Sequence, residues 1–82
     1  MSFAVVFTYS FDHDVAVYLF ETENEAKEFL TGSFEEEVKM YQEDGWELDV
    51  ELSSNKRFAR ITRIVQDDDN ETLEIRLGAV YQ

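Results

Sequence analysis

The sequence has no cysteine, only three glycines and a single histidine. Without cysteine, the chain can form neither a disulfide framework nor a thiolate zinc site, so its hydrophobic core must stabilise it alone. Glycine is too scarce for a phosphate-binding loop, and neither a nucleophile elbow nor a metal-binding helix motif is present. No apolar run approaches the roughly eighteen residues of a membrane span. We therefore predict a protein that is not an enzyme, uses no cofactor or metal and does not enter a membrane.

The chain has enough apolar residues for one core. Its 82 residues are 44% hydrophobic and include seven Phe, four Tyr and one Trp, which excludes a disordered acidic tail. The length predicts a single compact domain spanning residues 1–82. The opening residues, MSFAVVFTYSF, lack the basic start and the small-residue cleavage site of a signal peptide. We therefore expect a strand there and a cytoplasmic protein.

Negative charge dominates the composition. The formal net charge is −12 at pH 7. Residues 1–55 contain fourteen Asp and Glu against two Lys, whereas residues 56–82 contain five acids and five bases. Such an acidic surface repels nucleic acid and anionic membranes and attracts cationic partners. The same charge can also serve only to keep a small domain soluble and monomeric.

The first half of the sequence predicts a hairpin followed by a helix. Phe3 to Phe11 and Val15 to Phe20 are β-branched and aromatic runs, and both phases of each run are largely apolar. This pattern is typical of central strands that are covered on both faces. A capping box formed by Thr22 and Glu25 then predicts the start of a helix.

The expected helix carries one apolar stripe. Its members recur at helical spacing and are Ala26, Phe29, Leu30, Phe34, Val38 and Tyr41. Gly45 follows where a left-handed residue commonly ends a helix. Because a second capping-box pattern follows Gly32, the helix is either continuous to about Asp44 or broken near Gly32.

Three further strands are expected, over Trp46–Leu52, Arg57–Val65 and residues 73–81. A turn with its tip at Ser54 and Asn55 gives an antiparallel register that matches apolar with apolar residues and acid with base. The expected pairs are Val50 with Ala59, Leu48 with Ile61 and Asp49 with Arg60. The sequence thus predicts an α+β fold with two layers: a mostly antiparallel sheet of about five strands, in the order β-β-α-β-β-β, and a long or broken helix on one face.

Two sequence features superficially suggest metal binding. His13 lies between Asp12 and Asp14, but neighbouring residues of a strand point to opposite faces, and Asp is an ordinary turn residue. The acidic stretch Asp67–Glu71 resembles a calcium loop. Counting from Asp67, however, neither the required sixth-position glycine nor the twelfth-position glutamate is present. We predict no dedicated metal site, and leave open weak cation binding by Asp67–Glu71.

The basic residues cluster around Phe58, an arrangement that can stack nucleic-acid bases. They are Lys56, Arg57, Arg60, Arg63 and Arg76. The preceding strand offers facing acids, namely Glu47, Asp49 and Glu51. Because these acids are expected to neutralise the bases, we predict no direct binding of nucleic acid.

The remaining candidate site is the acidic surface of the expected helix and its ends. The protein-binding residues that we predict are Glu21, Glu25, Glu28, Glu35, Glu36, Glu37, Glu43 and Asp44. Glu23 is expected to belong to the same acidic patch as Glu21, Glu25 and Glu28. Since duplex DNA also presents densely spaced negative charge, a rigid row of carboxylates can occupy the basic channel of a nucleic-acid-binding protein. We predict a small acidic protein-binding module. The more specific hypothesis is a nucleic-acid mimic that occupies the basic surface of a nuclease or of another DNA- or RNA-binding protein.

The alternative hypothesis is a self-associating structural domain without a ligand, acidic only for solubility. One helix cannot cover both apolar faces of the first hairpin, and exposed apolar patches usually have partners. A homodimer would cover the second face, which is formed either by Tyr18 and Phe20 or by the opposite phase of the same strand. We name Tyr18 and Phe20 as the expected dimer contacts.

Several segments resemble a group of short, acidic, uncharacterised proteins of gut bacteria that are often carried with mobile elements. The segments are FTYSFDHDVAVYLFETENEAKEFL, GWELDVELSS, FARIT and IRLGAVYQ, which are spread between residues 7 and 82. The resemblance brings no catalytic motif and no activity. Mobile elements frequently encode small inhibitors of host defence, so the resemblance favours the mimic hypothesis by context alone.

Overall fold

The computed structural model describes residues 2–10, 14–65 and 70–80. These residues form five strands and one helix in the predicted order, which confirms the α+β fold. The strands are β1 (Ser2–Tyr9), β2 (Val15–Phe20), β3 (Leu48–Leu52), β4 (Phe58–Arg63) and β5 (Glu71–Val80), and the helix α1 (Glu23–Glu43) lies between β2 and β3 in sequence.

All five strands belong to one sheet in the spatial order β2-β1-β5-β4-β3. Every neighbouring pair is antiparallel. The last strand, β5, pairs with β1 on one side and with β4 on the other, so it joins the two hairpins at the centre of the sheet. This order leaves β2 and β3 as the two edge strands, while α1 crosses one face and contacts all five strands.

The hydrophobic core lies between α1 and one face of the sheet. Because side chains alternate across a strand, each central strand contributes every second residue to this core. Its buried members are Val5, Phe7, Ala26, Leu30, Tyr41, Ala59, Ile61, Leu73, Ile75 and Leu77. Among the described residues, α1 covers one face of the first hairpin. The expectation that both strands of this hairpin are central is wrong for β2, which lies at an edge of the sheet.

The helix begins at its predicted cap and is continuous. The Thr22 hydroxyl accepts a hydrogen bond from the Glu25 N–H at 3.2 Å and donates one to the Glu25 carboxylate at 3.0 Å. Gly45 follows the helix with a φ of 86°, as expected for a left-handed C-terminal residue. Glycine inside a helix costs about 1 kcal/mol. Leu30 and Phe34, which precede and follow Gly32, both pack on the core and offset this cost.

The predicted register between β3 and β4 is wrong by two residues. The predicted pairs were Val50 with Ala59, Leu48 with Ile61 and Asp49 with Arg60. The observed pairs are Leu48 with Arg63, Asp49 with Thr62, Val50 with Ile61, Glu51 with Arg60 and Leu52 with Ala59. The turn is longer than expected: Lys56 adopts a φ of 61°, and the Ser53 hydroxyl accepts hydrogen bonds from the N–H groups of Arg57 and Phe58. A shift of two residues leaves every side chain on its predicted face.

Candidate protein-binding surface

Seven of the eight acids predicted to bind a partner are exposed along the helix and at its two ends. We call them the acidic helix surface: Glu21, Glu25, Glu28, Glu35, Glu36, Glu43 and Asp44. The eighth, Glu37, is half-buried and lies near Tyr41. The structure therefore places Glu37 under the helix, towards the sheet, and leaves the other seven accessible to another molecule.

The acidic helix surface is not neutralised by neighbouring bases. Within residues 2–10, 14–65 and 70–80, none of its seven members forms an ion pair. Residues 21–44 contain nine acids and two Lys, a formal charge of −7. At about 1.5 Å per residue, this segment extends over roughly 36 Å, so the seven members of the acidic helix surface are about 5 Å apart along it on average. One strand of duplex DNA carries one phosphate per about 3.4 Å of its axis.

Glu23 is the helix acid that has basic partners. Its carboxylate lies 2.9 Å from the Lys27 ammonium and 2.9 Å from the Arg57 guanidinium. Hydrogen bonds from Lys27 and then from Arg57 lower the pKa of the Glu23 carboxyl below its usual value. The contact to Arg57 joins the start of α1 to the turn between β3 and β4, so Glu23 serves to position the helix.

Two of the acids on the open face of the sheet, by contrast, lie beside arginines. Glu51 lies 2.6 Å from Arg60, and Glu74 lies 2.7 Å from Arg76. The Phe58 ring lies beneath both guanidinium groups, 5.9 Å from that of Arg60 and 5.0 Å from that of Arg76. The expected neutralisation of the basic cluster is thus observed for Arg60, while Arg76 is paired with an acid of its own strand.

A third arginine fixes the other end of the helix. The Arg63 guanidinium lies 4.9 Å from the centre of the Tyr41 ring and 4.7 Å from that of the Trp46 ring. It also forms an ion pair with Glu71. Cation–π contacts of this kind are worth about 0.5–2 kcal/mol each. Arg63 therefore holds Tyr41 in the last turn of α1, and Trp46 three residues after the helix, against β4 and β5.

Tyr41 provides a pH-dependent test of this anchor. Burial, and secondly the nearby Glu37 carboxylate, raise the pKa of the Tyr41 hydroxyl from 10 to about 12. Because the pKa is higher in the folded than in the unfolded state, the folded protein is stabilised by neutral Tyr41 below pH 10. This contribution is lost as the pH rises from about 10 to 12.

We predict that the melting temperature of the wild type falls more steeply between pH 10 and 12 than that of Tyr41→Phe. Thermal unfolding followed by circular dichroism checks this. All other titrating groups are common to both proteins, so the difference isolates Tyr41. Parallel pH profiles for the two proteins would contradict the prediction.

The aromatic residues predicted as dimer contacts face the helix. Tyr18 and Phe20 each have their ring centres 5.0 Å from that of Phe29 on α1. The opposite phase of β2, namely Val15, Val17 and Leu19, is exposed on the open face of the sheet. The sequence analysis named Tyr18 and Phe20 as the contacts and left this opposite phase as the alternative. The sequence feature that could have identified them is a hairpin whose strands are apolar in both phases, followed by one helix that can cover only one face.

The two features considered for metal binding lie mostly outside the described residues. Asp12 and His13 of the first feature are not among the described residues. Neither are residues 67–69 of the acidic stretch. In the part of the chain that the structure describes, no group of three or more His, Asp or Glu side chains is arranged to hold a metal ion.

Comparison with known proteins identifies neither a family nor a function for the chain. No protein family, curated protein or solved structure matches the chain. Among the helical residues that are described, none form a segment long and apolar enough to cross a membrane.

Proposed function

We propose that this chain is a small acidic protein-binding module whose acidic helix surface occupies a basic, nucleic-acid-binding surface of another protein. The proposal rests on a difference between acids of the sheet and acids of the helix in the same molecule. Glu51 and Glu74 on the sheet have arginine partners, whereas the acidic helix surface has no ion pair among the described residues. Unpaired carboxylates on a rigid support can pair with the lysines and arginines of a partner.

The helix that supports the carboxylates is anchored at its start, at its middle and near its end. The Glu23–Arg57 ion pair holds the start of α1, Leu30 is buried at its middle, and Arg63 packs against Tyr41 near its end. A preorganised surface loses less conformational entropy on binding. The carboxylates along α1 are therefore presented to a partner from a helix that is already formed.

A nucleic-acid-binding protein is the partner that this chemistry fits best. Its channel is already lined with the lysines and arginines that neutralise the phosphates of a polyanion. A nuclease of a bacterial defence system is one such protein, and the resemblance to proteins carried with mobile elements is consistent with it. Inhibition of that nuclease would place the chain in the cytoplasm.

The proposal predicts salt-sensitive capture of such proteins. The immobilised chain is expected to retain basic nucleic-acid-binding proteins from a lysate of gut bacteria at about 50 mM salt and to release them by about 200 mM, because several charge contacts are screened together. We refer to a protein released in this way as the captured target. Increasing concentrations of the chain should then displace a labelled duplex DNA from the captured target.

The control for this capture is the double variant Glu51→Gln/Glu74→Gln, which removes acids that are already paired on the sheet. It should retain the same proteins and displace DNA equally well. Retention of proteins that do not bind nucleic acid, or an unchanged amount of bound DNA, would contradict the proposal.

A further inference from the structure

The two edge strands of the sheet differ in how they are protected. β3 has the sequence LDVEL, and its Asp49 and Glu51 are charges of the kind that keep sheet edges from pairing with other chains. β2 has the sequence VAVYLF, with no charged residue. An uncharged edge of β-branched and aromatic residues is a template for another strand.

The apolar side chains of β2 form an exposed row. Val15, Val17 and Leu19 have exposed fractions of 58%, 56% and 64%. They lie on the face of the sheet opposite to α1, beside Val6 of β1, which pairs with Val17. The most exposed apolar side chains of the described residues thus lie together at one edge.

The backbone of the same three residues points to the open edge. The Tyr9 N–H donates a hydrogen bond to the Asp14 carbonyl at 3.2 Å, which makes Asp14 a hydrogen-bonded partner of β1. Hydrogen-bonded and non-hydrogen-bonded pairs alternate along an antiparallel ladder. The backbone groups of Val15, Val17 and Leu19 therefore point away from β1 and can pair with an added strand.

We propose that β2 pairs antiparallel with β2 of a second copy of the chain, with Val17 opposite the partner's Val17. This register places Val15 opposite the partner's Leu19, so each exposed apolar side chain meets another across the seam. In this register the hydrogen bonds between the two strands use only residues whose backbone groups face outwards. A register shifted by one residue would not satisfy this condition. Asp14 lies opposite the partner's Phe20, so no acid within residues 14–20 opposes an acid.

This pairing fixes the geometry of the dimer. The two-fold axis runs perpendicular to the sheet, because identical residues face each other in adjacent antiparallel strands. The two sheets become continuous, and both α1 helices lie on the same side of it. The dimer thereby presents two copies of the acidic helix surface in one direction.

Self-association and binding of a basic partner respond to salt in opposite ways. Two copies, each with a net charge of −12, repel each other, so added salt strengthens the dimer. Contacts to a basic partner weaken with salt. The dimer proposal does not rest on the proposed function, and this difference in sign separates the failure of one from the failure of the other.

Sedimentation equilibrium over a range of protein and salt concentrations tests the dimer. We expect the wild type to dimerise more tightly as salt increases. Val17→Lys places two like charges directly opposite each other and should weaken the dimer by about tenfold or more. Val50→Lys makes the same change on the other edge strand, at a residue with an exposed fraction of 46%, and should leave the dimer unchanged.

Cross-linking tests the register independently of affinity. Because the chain has no cysteine, Val17→Cys introduces a unique thiol, as does the control Val50→Cys. A short bismaleimide should link two copies of Val17→Cys and none of Val50→Cys. A wild type that stays monomeric at every concentration and salt, equal weakening by Val17→Lys and Val50→Lys, or cross-linking through position 50 would overturn the proposal.

Discussion

Replacing Leu30 by alanine is expected to destabilise the folded state by about 2–5 kcal/mol, the usual range for a fully buried leucine. Leu30 is completely buried at the middle of α1, and α1 supplies the second layer of the core. A chain of 82 residues has a total stability of only about 4–12 kcal/mol. The substitution should therefore lower the melting temperature by at least about 10 °C.

Met40→Ala is the matched control for this substitution. Met40 lies on the same helix, but its exposed fraction is 46%, so little apolar surface is lost when it is truncated. Urea denaturation followed by circular dichroism and by the fluorescence of Trp46 gives the free energy of unfolding for both variants. If the two substitutions cost the same, the helix does not pack on the sheet as described.

Neutralising the acidic helix surface is expected to have the largest effect on partner binding. The variant replaces Glu25, Glu28, Glu35, Glu36 and Glu43 with glutamine, which has nearly the same helix propensity as glutamate. Five contacts of the kind made by phosphates are lost at once. The affinity for the captured target should fall by about 100-fold or more at low salt, while the helix content stays the same.

A second variant separates the position of the charge from its amount. It neutralises five acids outside the helix, namely Asp14, Glu47, Asp49, Glu51 and Glu74, as the corresponding amides. Both variants change the net charge from −12 to −7. We call the first of these proteins the helix variant and the second the sheet variant. The sheet variant should bind the captured target nearly as tightly as the wild type. Equal losses would mean that overall charge, and not the helix, determines binding.

The order of elements was predictable because each has a strong local signal. The Thr22–Glu25 capping box and Gly45 mark the ends of α1, and both adopt the expected conformations. Alternation of apolar residues places Val50 and Ile61 on the helix side of the sheet. These signals act within a few residues, and a single sequence contains them in full.

The features that were not predictable depend on distant parts of the chain. The β3–β4 register depends on a turn in which Lys56 adopts a positive φ, an unusual conformation for a residue that is not glycine. Continuity through Gly32 depends on packing of the helix against the sheet. The choice between the two apolar phases of β2 depends on Phe29 of α1, which packs against Tyr18 and Phe20 and leaves Val17 exposed.

The sequence predicted which acids lie near the helix, but not which of them are exposed and which are buried or paired. Eight acids near the helix could be selected from sequence, yet only the structure distinguishes Glu37, which lies beneath the helix, from its exposed neighbours Glu35 and Glu36. In the same way, pairing of Glu23 with Arg57 requires contact between the helix start and a turn more than thirty residues away in sequence. Such contacts decide which charges remain available to a partner.

The most direct test of the central claim is the salt dependence of binding to the captured target, measured for the wild type and the two five-residue variants. We predict a steep loss of affinity with salt for the wild type and for the sheet variant, and a much shallower one for the helix variant, because the slope reports the number of charge contacts. Equal slopes for the two variants, which have the same net charge, would contradict the claim that the acidic helix surface is the binding site.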